Sequence, residues 1–415
     1  MTRETETEPA EAEVVAELLQ ELLRRTHLSA PSDLGAVVAD QAGRIGARDV
    51  SIHLIDYELG VLAQLFPEEG AGAELSVAGT VAGRAFSATN ILRATTDEPG
   101  QQRLWLPLLD GTERLGVMGM SFADDRLSPA IVATCERYAH LVAMLIVTKQ
   151  SFGDAIEVVR RRTPMSLASE LAWGLAPPLV FATDDVTVAG LLEPAYDNGG
   201  DAFDYAMNGQ TLHLGIFDAM GHGLAAAGVA AFALSGYRHS RRAGHDLLET
   251  FAAMDAAVGT QFPERRFVTA LIAQLEIDSG RLSWVSAGHP PPLLIRNGRR
   301  ARPLATEPAA PLGVDLGGAQ PVVSHESLEP GDLVLLYTDG LTDARSPEGN
   351  RFTLEDVSDY IEREVAAGQT APETLRRIRH SLLGREGVDL RDDATALLVE
   401  WRSGAEARLM PQTVL

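Results

Sequence analysis

Three apolar stretches that read as buried strands each run into or out of an aspartate. Leu212-His213-Leu214-Gly215-Ile216-Phe217 leads to Asp218, and Leu333-Val334-Leu335-Leu336-Tyr337 leads to Thr338 and Asp339. Asp392-Asp393 precedes Ala394 to Val399, and the tight turn Gly199-Gly200 delivers a further carboxylate, Asp201. A carboxylate at the end of a buried strand is costly to desolvate unless something positive compensates it. No Lys or Arg adjoins Asp218 or Asp339, and only Arg391 adjoins the last pair. Taken singly, each aspartate reads as an ordinary turn. Four such sites at strand ends imply a cation. All-oxygen ligation favours magnesium or manganese over zinc, which would want His or Cys.

The 415 residues are too many for one ordinary core, so two domains are expected. Lys and Arg number 35 against 58 Asp and Glu, and a formal charge of −23 argues against nucleic acid or an anionic membrane as partner. The single cysteine, Cys135, excludes an internal disulfide and a thiolate metal site. Met1 to Glu13 lack the order of a signal peptide, and the apolar run Leu141 to Val147 is too short to span a bilayer. A cytoplasmic protein is expected.

Residues 1–13 are Glu- and Thr-rich and read as a disordered acidic tail. Apolar residues recur at helical spacing from Val14 to Leu23, and Asp33 could cap a second helix through Val37, Val38 and Ile45. Strand-like stretches follow at 50–56, 60–66, 104–109 and 114–122, the last two flanking Asp110-Gly111, and a long helix runs from Pro129 to Gln150. In the second half, strands are expected at 186–193, 211–217, 267–276, 282–285, 293–296, 333–337 and 394–401. Helices are expected at 224–239, 247–259, 354–365 and 372–383. Strands in groups with helices in pairs suggest stacked sheets with helices outside.

Within 14–150, Gly79-Thr80-Val81-Ala82-Gly83-Arg84-Ala85-Phe86, Leu104-Trp105-Leu106-Pro107-Leu108 and Leu115-Gly116-Val117 resemble the crossover and final hairpin of the GAF family. A PAS-like or unrelated small α/β fold is the alternative. The resemblance implies a sensor domain of unknown ligand, and Cys135 on the closing helix is poorly placed for a bilin. Residues 151–180 read as a helical linker interrupted at Pro164 and ended by Pro177-Pro178. Ile131, Cys135, Tyr138, Val142 and Leu145 lie near heptad spacing, which suits either a homodimer paired through these helices or packing on the domain's own sheet.

The C-terminal part, 181–403, followed by a tail at 404–415, resembles the type 2C (PPM) protein phosphatases in their SpoIIE-like branch. The motifs are Asn198-Gly199-Gly200-Asp201-Ala202-Phe203-Asp204, Asp218-Ala219-Met220-Gly221-His222-Gly223, Phe267-Val268-Thr269-Ala270, Ala287-Gly288-His289-Pro290, Pro311-Leu312-Gly313, Tyr337-Thr338-Asp339-Gly340-Leu341 and Arg391-Asp392-Asp393-Ala394-Thr395, in the family's order. Asn198 and Ala202 depart from the branch's usual Val and aromatic, without removing a ligand. The implied fold is an α/β two-domain chain: a GAF-like α/β sensor, the linker, and a PPM α/β-β/α sandwich of two stacked sheets flanked by helices.

The resemblance also implies roles. Asp218 would bridge two manganese or magnesium ions, with the carbonyl of Ala219 on one of them. Asp339 and Asp392 would complete the other, Asp393 being the second candidate for that last place, and Asp201 would hold metal-bound water. Two dications lower the pKa of a shared water and neutralise phosphoryl oxygens, so attack on phosphorus needs no covalent intermediate. His222 and His289 invite a role as acid catalyst. The plainer readings are a turn histidine capping the helix from Leu224 and a structural histidine, while Thr269 would support the sheet beneath the metals. The implied substrate is phosphoserine or phosphothreonine on a STAS-type anti-anti-sigma protein, with regulation by the GAF domain. A catalytically weak binding module or a phosphatase of small-molecule phosphates are the alternatives.

Overall fold

The computed structural model describes residues 8–66, 72–197, 199–263, 266–296, 298–307, 309–314, 320–345, 352–383, 390 and 392–402. Asn198 and Arg391 lie outside them. The chain divides into two compact units, Met1–Thr163 and Pro164–Leu415.

The first unit runs α1 (Glu8–Thr26), α2 (Leu34–Gly43), β1 (Arg48–Ile55), β2 (Val61–Leu65), β3 (Glu74–Ser76), α3 (Val81–Ala88), β4 (Leu92–Thr95), β5 (Gln101–Asp110), β6 (Glu113–Ala123), α4 (Pro129–Gln150) and α5 (Ala155–Arg160). Its strands form one antiparallel sheet in the order β3-β2-β1-β6-β5-β4. Leu18 and Leu22 of α1, Val38 of α2 and Tyr138, Val142 and Ile146 of α4 share a core with one face of the sheet, while Ala85 and Phe86 of α3 pack on the other. The Thr80 side chain accepts from the Gly83 amide and starts α3, a helix hidden in the Gly/Ala-rich stretch.

Three expectations change here. Helix α1 begins at Glu8, inside the stretch expected to be disordered. Asp33 precedes α2 but its side chain makes no cap, because its backbone already turns in the helical region. The near-heptad stripe Cys135, Tyr138, Val142 and Leu145 is buried in the unit's own core and so is not free to pair with another helix. By length and composition alone α4 could cross a membrane, yet this buried stripe packs on the sheet.

The second unit runs α6 (Leu167–Leu175), β7 (Val180–Ala182), β8 (Val186–Glu193), β9 (Asp201–Asn208), β10 (Thr211–Ala219), α7 (Leu224–Ala243), α8 (Leu247–Gln261), β11 (Val268–Glu276), β12 (Arg281–Ala287), β13 (Leu293–Arg296), β14 (Arg299–Pro303), β15 (Ser324–Ser327), β16 (Leu333–Tyr337), α9 (Gly340–Asp343), α10 (Leu354–Ala366), α11 (Ala371–Ile378) and β17 (Ala394–Trp401). One sheet has the order β15-β12-β11-β10-β9, the other β14-β13-β16-β17-β8-β7.

Side chains alternate across a strand, and both sheets use that alternation. Leu212, Leu214 and Ile216 of β10 meet Val334 and Leu336 of β16 and Leu397 and Val399 of β17 in the core between the sheets. The opposite faces bury Phe217 against α7 and α8, and Leu335 and Leu398 against α10 and α11. The result is helices, sheet, sheet, helices. Truncating Leu336, fully buried in the middle layer, to Ala should cost about 2–5 kcal/mol, read as a lower denaturant midpoint at unchanged slope.

Candidate metal centre

Antiparallel register places Asp201 of β9 opposite Asp218 of β10, and Asp218 opposite Thr269 of β11. By alternation Asp218 shares the inward face of Ile216 and Leu214, Asp201 that of Phe203, and Thr269 that of Leu271. The three form a row across the inner face at one end of the sandwich. From the opposite sheet, Thr338 and Asp339 leave β16 and Asp392 and Asp393 enter β17.

Hydrogen bonds tie the two contributions together. Thr338 Oγ1 donates to Asp201 Oδ2 at 2.6 Å and accepts from the Thr395 amide at 2.9 Å. Asp393 Oδ2 accepts from the amides of Gly199, at 2.7 Å, and Gly200. The glycines permit close backbone approach: a Cβ on Gly200 would lie 2.9 Å from the Ala219 carbonyl oxygen, and one on Gly340 1.9 Å from that of Asp393.

The electrostatics are unfavourable as they stand. Burial, then Asp218 and Asp393, raise the Asp201 carboxyl well above its ordinary range. Burial, then Asp339, Asp392 and Asp393, push Asp218 up to about 7. Burial pushes Asp393 up to about 6 although the two glycine amides oppose it. Like charges set directly opposite across a ladder are destabilising. Among the described residues no Arg or Lys makes an ion pair with Asp201, Asp218, Asp392 or Asp393. Nor do three His, Cys, Asp or Glu side chains among them converge into a formed cage. An oxygen-only, uncompensated cluster of this kind nevertheless suits a hard divalent cation.

The two histidines separate clearly. His289 is buried, with Nε2 3.0 Å from the Tyr337 carbonyl and Nδ1 2.8 Å from Thr269 Oγ1. A carbonyl only accepts, so Nε2 carries the proton and Thr269 donates to Nδ1. Burial lowers the His289 pKa to about 3, and the ring is a neutral strut between the sheets. His222 is exposed, and the expected cap is absent: Gly223 occupies the N-cap position of α7, with no side-chain cap. Thr338 and Thr395 sit inside motifs read from the sequence, but no role was visible for either. Their function depends on which strand faces them.

Residues 208–402 match the family model described as Stage II sporulation protein E (SpoIIE). That part of the chain, a little under half of it, is similar to the SpoIIE family. Among curated proteins, Protein IcfG of Synechocystis sp. is 29% identical over 135 residues, 32% of this chain and 20% of that protein. Phosphoserine phosphatase RsbU of Bacillus subtilis is 21% identical over 241 residues, 57% of this chain and 70% of RsbU. Phosphoserine phosphatase RsbP of the same organism is 25% identical over 232 residues, 54% of each chain. This chain therefore spans only a fifth of IcfG and about half of RsbP.

A carboxyl whose folded pKa is raised binds more protons folded than unfolded, so its contribution to stability is present at low pH and lost as pH rises. For Asp218 the window runs from its ordinary 3.8 to about 7. Metal-free protein should thus lose thermal stability across that window, Asp218→Asn should flatten the loss, and manganese should raise the melting temperature of wild type far more than of the variant.

Proposed function

We propose that the protein is a metal-dependent phosphatase that hydrolyses phosphoserine or phosphothreonine on a cytoplasmic signalling protein, a small STAS-type anti-anti-sigma factor. The observation that carries this reading is the uncompensated row of Asp201 and Asp218 at the end of the sandwich, faced by Asp392 and Asp393. The names of RsbU and RsbP, both phosphoserine phosphatases, support the substrate class.

Asp218, the Ala219 carbonyl, Asp339 and Asp392 would hold two divalent cations, magnesium or manganese. Such ions activate water for attack on phosphorus and neutralise the phosphoryl oxygens. Of the last pair, Asp393 is buried with one oxygen held by the Gly199 and Gly200 amides, while Asp392 is exposed and accepts only from the neighbouring Asp393 amide, at 3.0 Å; this favours Asp392 as the ligand. Asp201, with one oxygen held by Thr338, keeps the other to orient the attacking water. No protein nucleophile is needed, and Cys135 lies buried in the other unit's core.

The first unit's antiparallel sheet, with α1, α2 and α4 on one face and α3 on the other, supports the GAF-like sensor reading. On this view the sensor regulates the phosphatase. A homodimer would have to use surfaces other than the buried stripe of α4; Met144, Phe152 and Val158 are exposed apolar side chains near the linker.

The test is phosphate release from a phosphoserine STAS protein with manganese and with chelator. Wild type should be active only with metal, and Asp218→Asn should lose about a hundredfold or more in turnover. Metal-independent release, or an unimpaired Asp218→Asn, would sink the assignment.

A further inference from the structure

A cavity of about 770 Å³ opens in the first unit beside the first half of β1. Strand β2 pairs with Ile52–Ile55, so among the described residues the start of β1 has no strand neighbour on that side. Ser51, His53, Gln64 and Arg103 give the cavity polar walls, and Leu75 and Trp105 give it apolar ones.

Arg103 is the unusual member. Its guanidinium donates to the Asp49 carbonyl at 2.9 Å, to Ser121 Oγ at 3.1 Å and to Ser51 Oγ at 2.5 Å, and it lies 4.8 Å from the centroid of the Trp105 ring. All three acceptors are neutral. The one carboxylate acting on it, that of Asp49, is exposed and makes no ion pair with it among the described residues. A partly buried cation without a counter-ion is costly, and here it occurs in a chain with a net charge of −23.

Local backbone features hold this charge in place. The β1–β6 register shifts between Arg48 and Ser51, and Asp49 takes a left-handed φ of 46°, in the stretch that presents its carbonyl to the guanidinium. Across the sheet, Gly119 clears the space: a Cβ there would lie 2.4 Å from Arg103 Nη2. Beside Arg103, His53 is 3% exposed, stands edge-on to Trp105, and has no hydrogen-bond partner at Nδ1 among the described residues. Burial keeps this imidazole neutral, so it can accept as well as donate.

We propose that this cavity binds a small organic anion. Its carboxylate or phosphoryl group would meet Arg103 and Ser51, its apolar body Leu75 and Trp105, and a donor group the His53 ring. The rival is a structural one, in which Arg103 merely ties β1 to β5 and β6.

Calorimetric titration of the full chain in metal-free buffer, with benzoate, phenylphosphonate and neutral benzamide, distinguishes the two. It reads binding alone, so its outcome does not depend on the phosphatase assignment. At least one of the two anions should bind one to one, showing whether carboxylate or phosphoryl is preferred, and benzamide should not. Arg103→Gln and Gly119→Ala should each weaken that binding about tenfold or more. The atoms nearest the added methyl in Gly119→Ala are those at the far end of the Arg103 side chain, which can move aside, so this variant should fold at nearly the wild-type melting temperature even if Arg103→Gln does not. If neither anion binds, or Gly119→Ala binds as wild type does, the structural role stands and the proposal fails.

Discussion

Two carboxylates set opposite each other across a β-ladder, Asp201 and Asp218, are the interaction around which the rest of the second unit is arranged. Left alone, that juxtaposition pushes the ends of β9 and β10 apart and draws water in. It is tolerated because the interior behind it is large and dry: Leu214, Ile216, Leu336 and Leu397 belong to one buried cluster between the two sheets. The opposed sheet also contributes directly, through the Thr338 hydroxyl on Asp201 and the Asp393 carboxylate on the Gly199 and Gly200 amides. Hydrophobic docking of the sheets and assembly of the polar cluster are therefore one event.

Asp204 shows what this chain does with a carboxylate whose role is purely structural. It lies three residues along the same strand, equally buried, and is paired with both Arg238 and Arg241 of α7, at 2.7 and 2.6 Å. A buried carboxylate so paired has its charge compensated within the fold. Asp201 and Asp218, on the opposite, inward face of the same sheet, have no such partner among the described residues. Compensation is thus absent at one end of the strand and supplied a few residues on, the electrostatic contrast on which the proposed cation site rests.

The first unit repeats this logic with the sign reversed. Arg103 sits among neutral acceptors beside a cavity, and Gly119 is the residue that makes room for it. Elsewhere in the same unit, Arg25 and Arg162 are ion-paired to Asp40 and Glu74. Each unit thus holds charge of one sign without an ion-pair partner among the described residues, and these are the two places where the proposed ligands would sit.

The sequence by itself determined the long apolar strands and most of the helices of the second unit, because apolar runs bounded by Gly, Pro and Asp admit few other readings. It also determined that several carboxylates stand at strand ends. It missed the edge strands β7, β14 and β15, which are short, and β9, whose polar and small residues carry no strand signal until β10 pairs with them. It assigned the stripe on α4 to either of two surfaces, and only packing chose the core. That Asp393 reaches the distant Gly199 and Gly200 amides, and that Thr338 and His289 brace the opposite sheet, were decided by tertiary structure alone. Alternation along a strand is local and can be read from one segment, whereas a hydrogen bond spanning 137 residues between two sheets exists only after both have been brought face to face.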